Sequence, residues 1–182
     1  MKAIVVYESM YGNTRQIAEA IGLGLGNCCD VIVSNVNHVD AADLTSADLV
    51  IVGGPTHVHG MSWPASRDNA RTTMVAARAL ESSAVGDGVR EWLEGFESVG
   101  QLFGSFDTRV EMPRWITGSA SSSIHHVLVH KGLTEVTSPA SFIVTDENEL
   151  KPGEFERARA WGLSIGHSAN VLVESRGNPL RA

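Results

Sequence analysis

At 182 residues, 43% hydrophobic and 19% charged, the chain is long enough to bury one sizeable core and too apolar to be disordered. A formal charge of −7 disfavours nucleic acid and anionic membrane surfaces as partners. The only two cysteines are neighbours, Cys28 and Cys29, so a disulfide framework is excluded and a reduced, cytoplasmic setting is expected, with neither an export signal nor a membrane span.

Lys2 to Thr14 reads KAIVVYESMYGNT. The β-branched run Ala3 to Tyr7 suits a strand buried on both faces of a parallel sheet. Ser9, Gly12, Asn13 and Thr14 then crowd a turn, and Ile17, Ile21 and Leu25 follow at the spacing of an amphipathic helix that Gly24 and Gly26 are expected to end. A strand, a hydroxyl- and glycine-bearing turn and a helix N-terminus together aim backbone N–H groups at one spot, which suits an anion. The turn has no Lys, so it is not a nucleoside-triphosphate P-loop, and its spacing also fails GxGxxG.

A second strand is predicted over Asp30 to Val33, at most one helical turn near Ala41 to Leu44, and a third strand over Ala47 to Val52. That strand is expected to turn at Gly53-Gly54 into Pro55, Thr56, His57, Val58, His59 and Gly60, with Trp63 placed either to stack on a flat ring or to fold back as a core lid. Helix is predicted from Ser66 to about Glu81. A second helix carries Val89, Trp92, Leu93 and Phe96 as a core stripe. A fourth strand, Val99 to Phe106, delivers Asp107, Thr108 and Arg109 at its end, followed by an irregular segment, Val110 to Thr117, containing Pro113 and the weaker candidate Trp115. The next helix spans Gly118 to His130, with Gly132 as its C′ residue. An interrupted fifth strand comprises Thr134 to Val136 and Ser141 to Val144, broken at Pro139. A long final helix, Glu154 to about Glu174, places Phe155, Ala158, Ile165, Ala169 and Leu172 inward. The seven histidines lack a third ligand at defined spacing, so no metal site is expected, and the absence of GxSxG removes a serine-nucleophile reading.

The stretch Ser9-Met10-Tyr11-Gly12-Asn13-Thr14 resembles the [ST]xTGxT phosphate loop of the flavodoxin-like family, fitting at five of six positions and departing at Tyr11. The GGPTH segment is similar to that family's flavin-ring loop. The resemblance implies a single flavodoxin-like domain over residues 1–175 with a polar tail at 176–182, and an α/β doubly wound sheet of five parallel strands in the order 2-1-3-4-5 with helices on both faces. It also implies FMN as cofactor. Ser9 to Thr14 would hold the phosphate, Pro55 to Gly60 with Trp63 would lie on one side of the ring, and Asp107 to Arg109, mainly through backbone, on the other. His57 and His59 would sit beside the ring edge. The expected function is electron carriage to a redox partner protein or small-molecule acceptor, with no catalytic residue of the chain's own. An FMN-dependent NAD(P)H:quinone or nitro-compound reductase and a flavin-free α/β binding domain are the alternatives.

Overall fold

The structure, a computed structural model, describes residues 1–57, 60–73, 81 and 86–177. Its first strand, β1 (Lys2–Tyr7), is apolar on both faces because it is central. It pairs in parallel with β2 (Asp30–Asn35) on one side and with β3 (Leu49–His57) on the other. β3 pairs in turn with β5 (Leu102–Val110), whose far edge takes β6 (Thr134–Glu135) and then β7 (Ala140–Val144), all parallel. The expected order is therefore observed, with the fifth position shared by two short strands that flank Pro139, a residue with no N–H to give a ladder. A two-residue strand, β4 (Gly60–Met61), adds an antiparallel hairpin to the end of β3.

The period-two alternation of β1 sorts its side chains between two cores. Ala3, Val5 and Tyr7 face the helices α1 (Asn13–Leu25) and α7 (Glu154–Gly177), among Ile17, Ile21, Phe106 and Ile165. Ile4 and Val6 face the opposite side, where Leu93 of α4 (Val89–Gly95) and Ile124 and Leu128 of α6 (Ala120–His130) close the second core. Trp92 and Phe96 stack with ring centroids 5.1 Å apart beside this core, as their helical spacing predicts. Gly132 takes φ +83°, as expected after the end of α6. α2 (Ala41–Ser46) is short and capped by the Asp40 carboxylate, which accepts from Ala42 N at 2.7 Å.

Several boundaries differ from the sequence reading. Gly53 and Gly54 do not turn the chain: β3 continues to His57, because the ring of Phe106 lies against Gly53, where a Cβ would come within 2.2 Å of it. The glycine serves strand packing. Likewise β5 starts at Leu102 and runs on to Val110, so Asp107, Thr108 and Arg109 are strand residues paired with Gly54, Pro55 and β7. Gly24 lies inside α1; a Cβ there would sit 2.1 Å from Arg159 O of α7, so it allows two helix backbones to touch. Phe155, expected inward, is 37% exposed. α3 (Pro64–Thr73) begins two residues earlier than predicted, and residues 74–80 of that predicted helix and 82–85 of the loop after it lie outside the described residues. The segment after β5 contains one turn of helix, α5 (Arg114–Thr117), and α7 extends to Gly177. Residues 178–182 of the predicted tail lie outside the described residues. Among the described residues no helix is long and apolar enough to cross a membrane.

Candidate ligand site at the carboxyl ends of the strands

A cleft of about 410 Å³ opens where the carboxyl ends of β1, β3, β5 and β7 meet. The chain reverses its direction of winding between β1 and β3, the place in a doubly wound sheet where neighbouring loops diverge and leave a crevice. The turn after β1 contributes Met10, Tyr11, Asn13 and Thr14. The end of β3 contributes Pro55, Thr56 and His57, and the end of β5 contributes Thr108, Arg109 and Val110. Ile116 and Thr117 of α5 close one rim, and Val144 and Asn148 close another.

In the first turn, Gly12 is the N-cap of α1 with φ +88°, a left-handed conformation that disfavours a Cβ. No side chain caps this helix and its first turn carries no acidic residue, so its leading N–H groups remain available to a ligand. Ser9, only 1% exposed, lies behind the cleft wall: its Oγ accepts from Gly12 N at 3.1 Å and fixes the turn. Thr14 Oγ1 lies 2.7 Å from Thr108 Oγ1, tying α1 to β5. Asn13 Nδ2 donates to Asn148 O at 2.8 Å and to Asn148 Oδ1 at 2.9 Å, which ties the turn to the loop after β7. Asn148 holds φ 60°, and its Asn13 contacts cross the crevice. Burial pushes the Tyr11 phenol above its ordinary pKa.

Glu81 also reaches this turn. Its amide donates to Met10 O at 3.0 Å, its carboxylate accepts from Arg15 Nε, and that carboxylate lies 3.3 Å from where a Gly12 Cβ would sit. Arg15 pairs with Glu19 as well, so the only cation next to the turn is matched by two carboxylates among the described residues.

The β3–β4 hairpin is held from beneath by a buried polar cluster. Ser62 Oγ donates to the Glu8 carboxylate, 2.6 Å from Oε1 and 2.8 Å from Oε2, and Val89 N donates to Oε2 at 2.9 Å. Arg67 Nη1 donates to Ser62 Oγ and to Glu91 Oε2, each at 3.0 Å, and Arg90 donates to the carbonyls of Met61 and Ser62. Burial raises the Glu8 pKa despite the opposing hydrogen bonds from Ser62 and Val89 and the Arg67 charge. Above this cluster His57 lines the cleft, and burial with the Arg67 charge lowers its pKa, leaving a neutral imidazole at pH 7. Thr56 Oγ1 accepts from Ala120 N at 3.0 Å. Gly60 lies in β4, paired with His57, and is not one of the lining residues, while Val58 and His59 lie outside the described residues. Trp63 is partly exposed and not part of the lining; its backbone N–H donates to Ser66 Oγ.

From β5 the three predicted residues separate. Asp107 is completely buried, with Oδ2 accepting from Ser119 Oγ and Ser121 N at 2.9 Å each, so it fastens the start of α6. Thr108 and Arg109 do line the cleft. Arg109 contributes its side chain as well as its backbone: Nη1 donates to Met112 O at 2.6 Å and Val110 O at 3.3 Å, while its buried Nε has no hydrogen-bond partner among the described residues. Trp115 is 83% exposed and stands off the cleft that its neighbours Ile116 and Thr117 line. No Asp or Glu lines the cleft among the described residues, although the whole chain is acidic. Among the described residues no group of three or more His, Cys, Asp or Glu could hold a metal.

An uncapped helix end, a glycine cradle and a carboxylate-free wall can accept an anionic group at one end of a flat, polar-edged molecule. The chain has a flavodoxin-like fold. Its residues 4–66 match the flavodoxin domain family model. A flavodoxin from the domain Archaea superposes with TM-score 0.65 at 21% identity, covering 93% of this chain and 99% of that one. A Streptococcus pneumoniae TIGR4 flavodoxin gives 0.63 at 19% identity, covering 94% and 99%. A flavodoxin, WrbA-like protein from Agrobacterium tumefaciens gives 0.58 at 20% identity, covering 93% and 98%. No curated protein matches the sequence.

Proposed function

We propose that this cleft binds FMN and that the protein works as a cytoplasmic electron carrier. The observation that carries the reading is the α1 N-terminus: a glycine N-cap at φ +88° with no side-chain cap, followed by Asn13 and Thr14 on a cleft that no Asp or Glu lines among the described residues. Its geometry fits a phosphate ester, because the turn presents helix N-terminal amides beside the neutral side chains of Asn13 and Thr14. In this reading the amides of the turn from Tyr11 to Thr14 hold the phosphate. Pro55 to His57 lie along one side of the ring, and Thr108 to Val110 with Ile116 along the other. Bound FMN would supply reversible uptake of electrons, chemistry that no side chain here provides. Neutral His57 exchanges a hydrogen bond with the ring edge. Asn13 and Thr14 keep the turn in register with β5 and Asn148, so the crevice is held open before ligand arrives. The electron partner is a redox protein or a small-molecule acceptor.

A second reading, an FMN-dependent NAD(P)H:quinone or nitro-compound reductase, is favoured by one feature. Met112, Trp115 and Ile116 expose apolar surface beside the rim, 43%, 83% and 36% exposed respectively, where a flat substrate could rest. Purified protein with a visible flavin spectrum supports the FMN reading; colourless protein that leaves added FMN fluorescence unquenched supports a flavin-free binding domain. Steady turnover of NADPH with benzoquinone, and no auxiliary reductase, selects the enzyme over the carrier.

A further inference from the structure

We propose that the Arg109 guanidinium is a counter-charge for negative charge that develops on the ring of the bound ligand, so that this cleft holds the reduced, anionic flavin more tightly than the oxidised one. The proposal rests on the FMN reading. Reduction by two electrons from an external donor such as dithionite, with uptake of one proton, leaves the ring with one negative charge.

Four observations carry it. The side chain is anchored without being neutralised: Nη1 is spent on the Val110 and Met112 carbonyls, which fix the guanidinium to the end of β5 and leave its charge intact. Nearby carboxylates are engaged elsewhere. Asp107 turns to Ser119 and Ser121 at the start of α6, and Glu111 pairs with Lys151 at 2.6 Å. Arg109 lines the cleft, and among the described residues its buried Nε has no hydrogen-bond partner, so this donor is held at a cost. Finally, Arg109 is the one fixed charge among the described lining residues, in a chain of net −7. A single cation in a low-dielectric wall acts on a charge that forms beside it far more than on the neutral precursor.

Positioning through Arg109 therefore sets the redox balance of the ligand as well as its binding. The test compares wild type with R109Q, R109M and R109K. Oxidised FMN affinity is measured by fluorescence quenching, the two-electron midpoint potential by dye-coupled reductive titration, and folding by circular dichroism. In either neutral variant the preference for reduced over oxidised flavin is expected to fall about tenfold, a shift of about 30 mV to more negative potential. R109K, which keeps the charge, is expected to stay nearer wild type. An unchanged potential in a folded, FMN-binding neutral variant overturns the proposal, as does an equal loss of affinity for both redox forms, which marks a merely structural residue. Wild type that binds no FMN fails at the first measurement and overturns both this proposal and the reading beneath it. Should neither neutral variant fold, an R109K potential as negative as that predicted for loss of charge overturns it, and one near wild type supports it.

Discussion

Replacing Gly12 by Ala tests the turn on which the site is built. Gly12 sits at φ +88°, ψ −12°, and an added Cβ would lie 3.3 Å from Glu81 Oε1 and 3.8 Å from an Arg15 guanidinium nitrogen. Left-handed backbone costs an L-residue roughly 1–2 kcal/mol. Crowding adds little, because the nearest atom is the end of a flexible carboxylate that can yield a few tenths of an ångström. A loss of about 1–2 kcal/mol follows, which for a domain of this length lowers Tm by roughly 2–8 °C. FMN affinity should fall too, since relaxing φ re-aims the leading N–H groups of α1. Gly12→Asn carries the same Cβ but tolerates the left-handed region better, so it should recover part of the loss. Urea and thermal melts of the three proteins, with FMN titration, measure this. An Ala variant as stable as wild type refutes the assigned conformation, and Asn no better than Ala refutes the division between strain and crowding.

Four further outcomes are expected. Glu8→Gln should remove a pH-linked component: the folded pKa is raised, so the stabilisation is full below the ordinary glutamate value and is lost as pH rises through the folded one. Relative to Gln, wild type should therefore lose stability as pH increases above about 4.5, measured by urea melts across pH. His57 has the opposite sign, with a folded pKa below 6.5, so wild type should lose stability as pH falls from about 6.5 through the folded value. His57→Gln should lack that component. Gly53→Ala drives a methyl into the Phe106 ring and should destabilise by about 1–3 kcal/mol in denaturant, as overpacking does. Thr108→Val removes the partner of the Thr14 hydroxyl and should weaken FMN binding while leaving the fold intact, read by quenching and circular dichroism.

Local signals were legible where they were self-contained. The run Ala3 to Tyr7, the glycine turn and the Ile17–Ile21–Leu25 stripe all lie within one strand–turn–helix unit, and the structure realises each of them. Strand ends were not legible. Gly53 reads as a turn residue because hydropathy cannot show that Phe106, more than fifty positions away, needs the space of its missing side chain. Gly24 was misread for the same reason, with α7 as the hidden partner. Glu8, Glu81 and Asn148 reach the crevice or its supports only through contacts with distant segments. Sequence carried one usable hint for them, a charged Glu8 directly after a buried strand, since such a group needs partners. Asp107, Thr108 and Arg109 were singled out together, but hydrogen bonds from Ser119 and Ser121 hold Asp107 at the start of α6, while Thr108 and Arg109, nearer the end of β5, line the cleft.

Parallel titrations of the flavin-free protein with FMN and with riboflavin, followed by fluorescence, test the central claim most directly. Even one charge-assisted hydrogen bond to phosphate is worth roughly 1.5–3 kcal/mol, so FMN should bind at one per chain and at least about tenfold more tightly than riboflavin. Equal affinities would contradict an anion site at the α1 N-terminus, and no binding of either flavin would contradict the assignment itself.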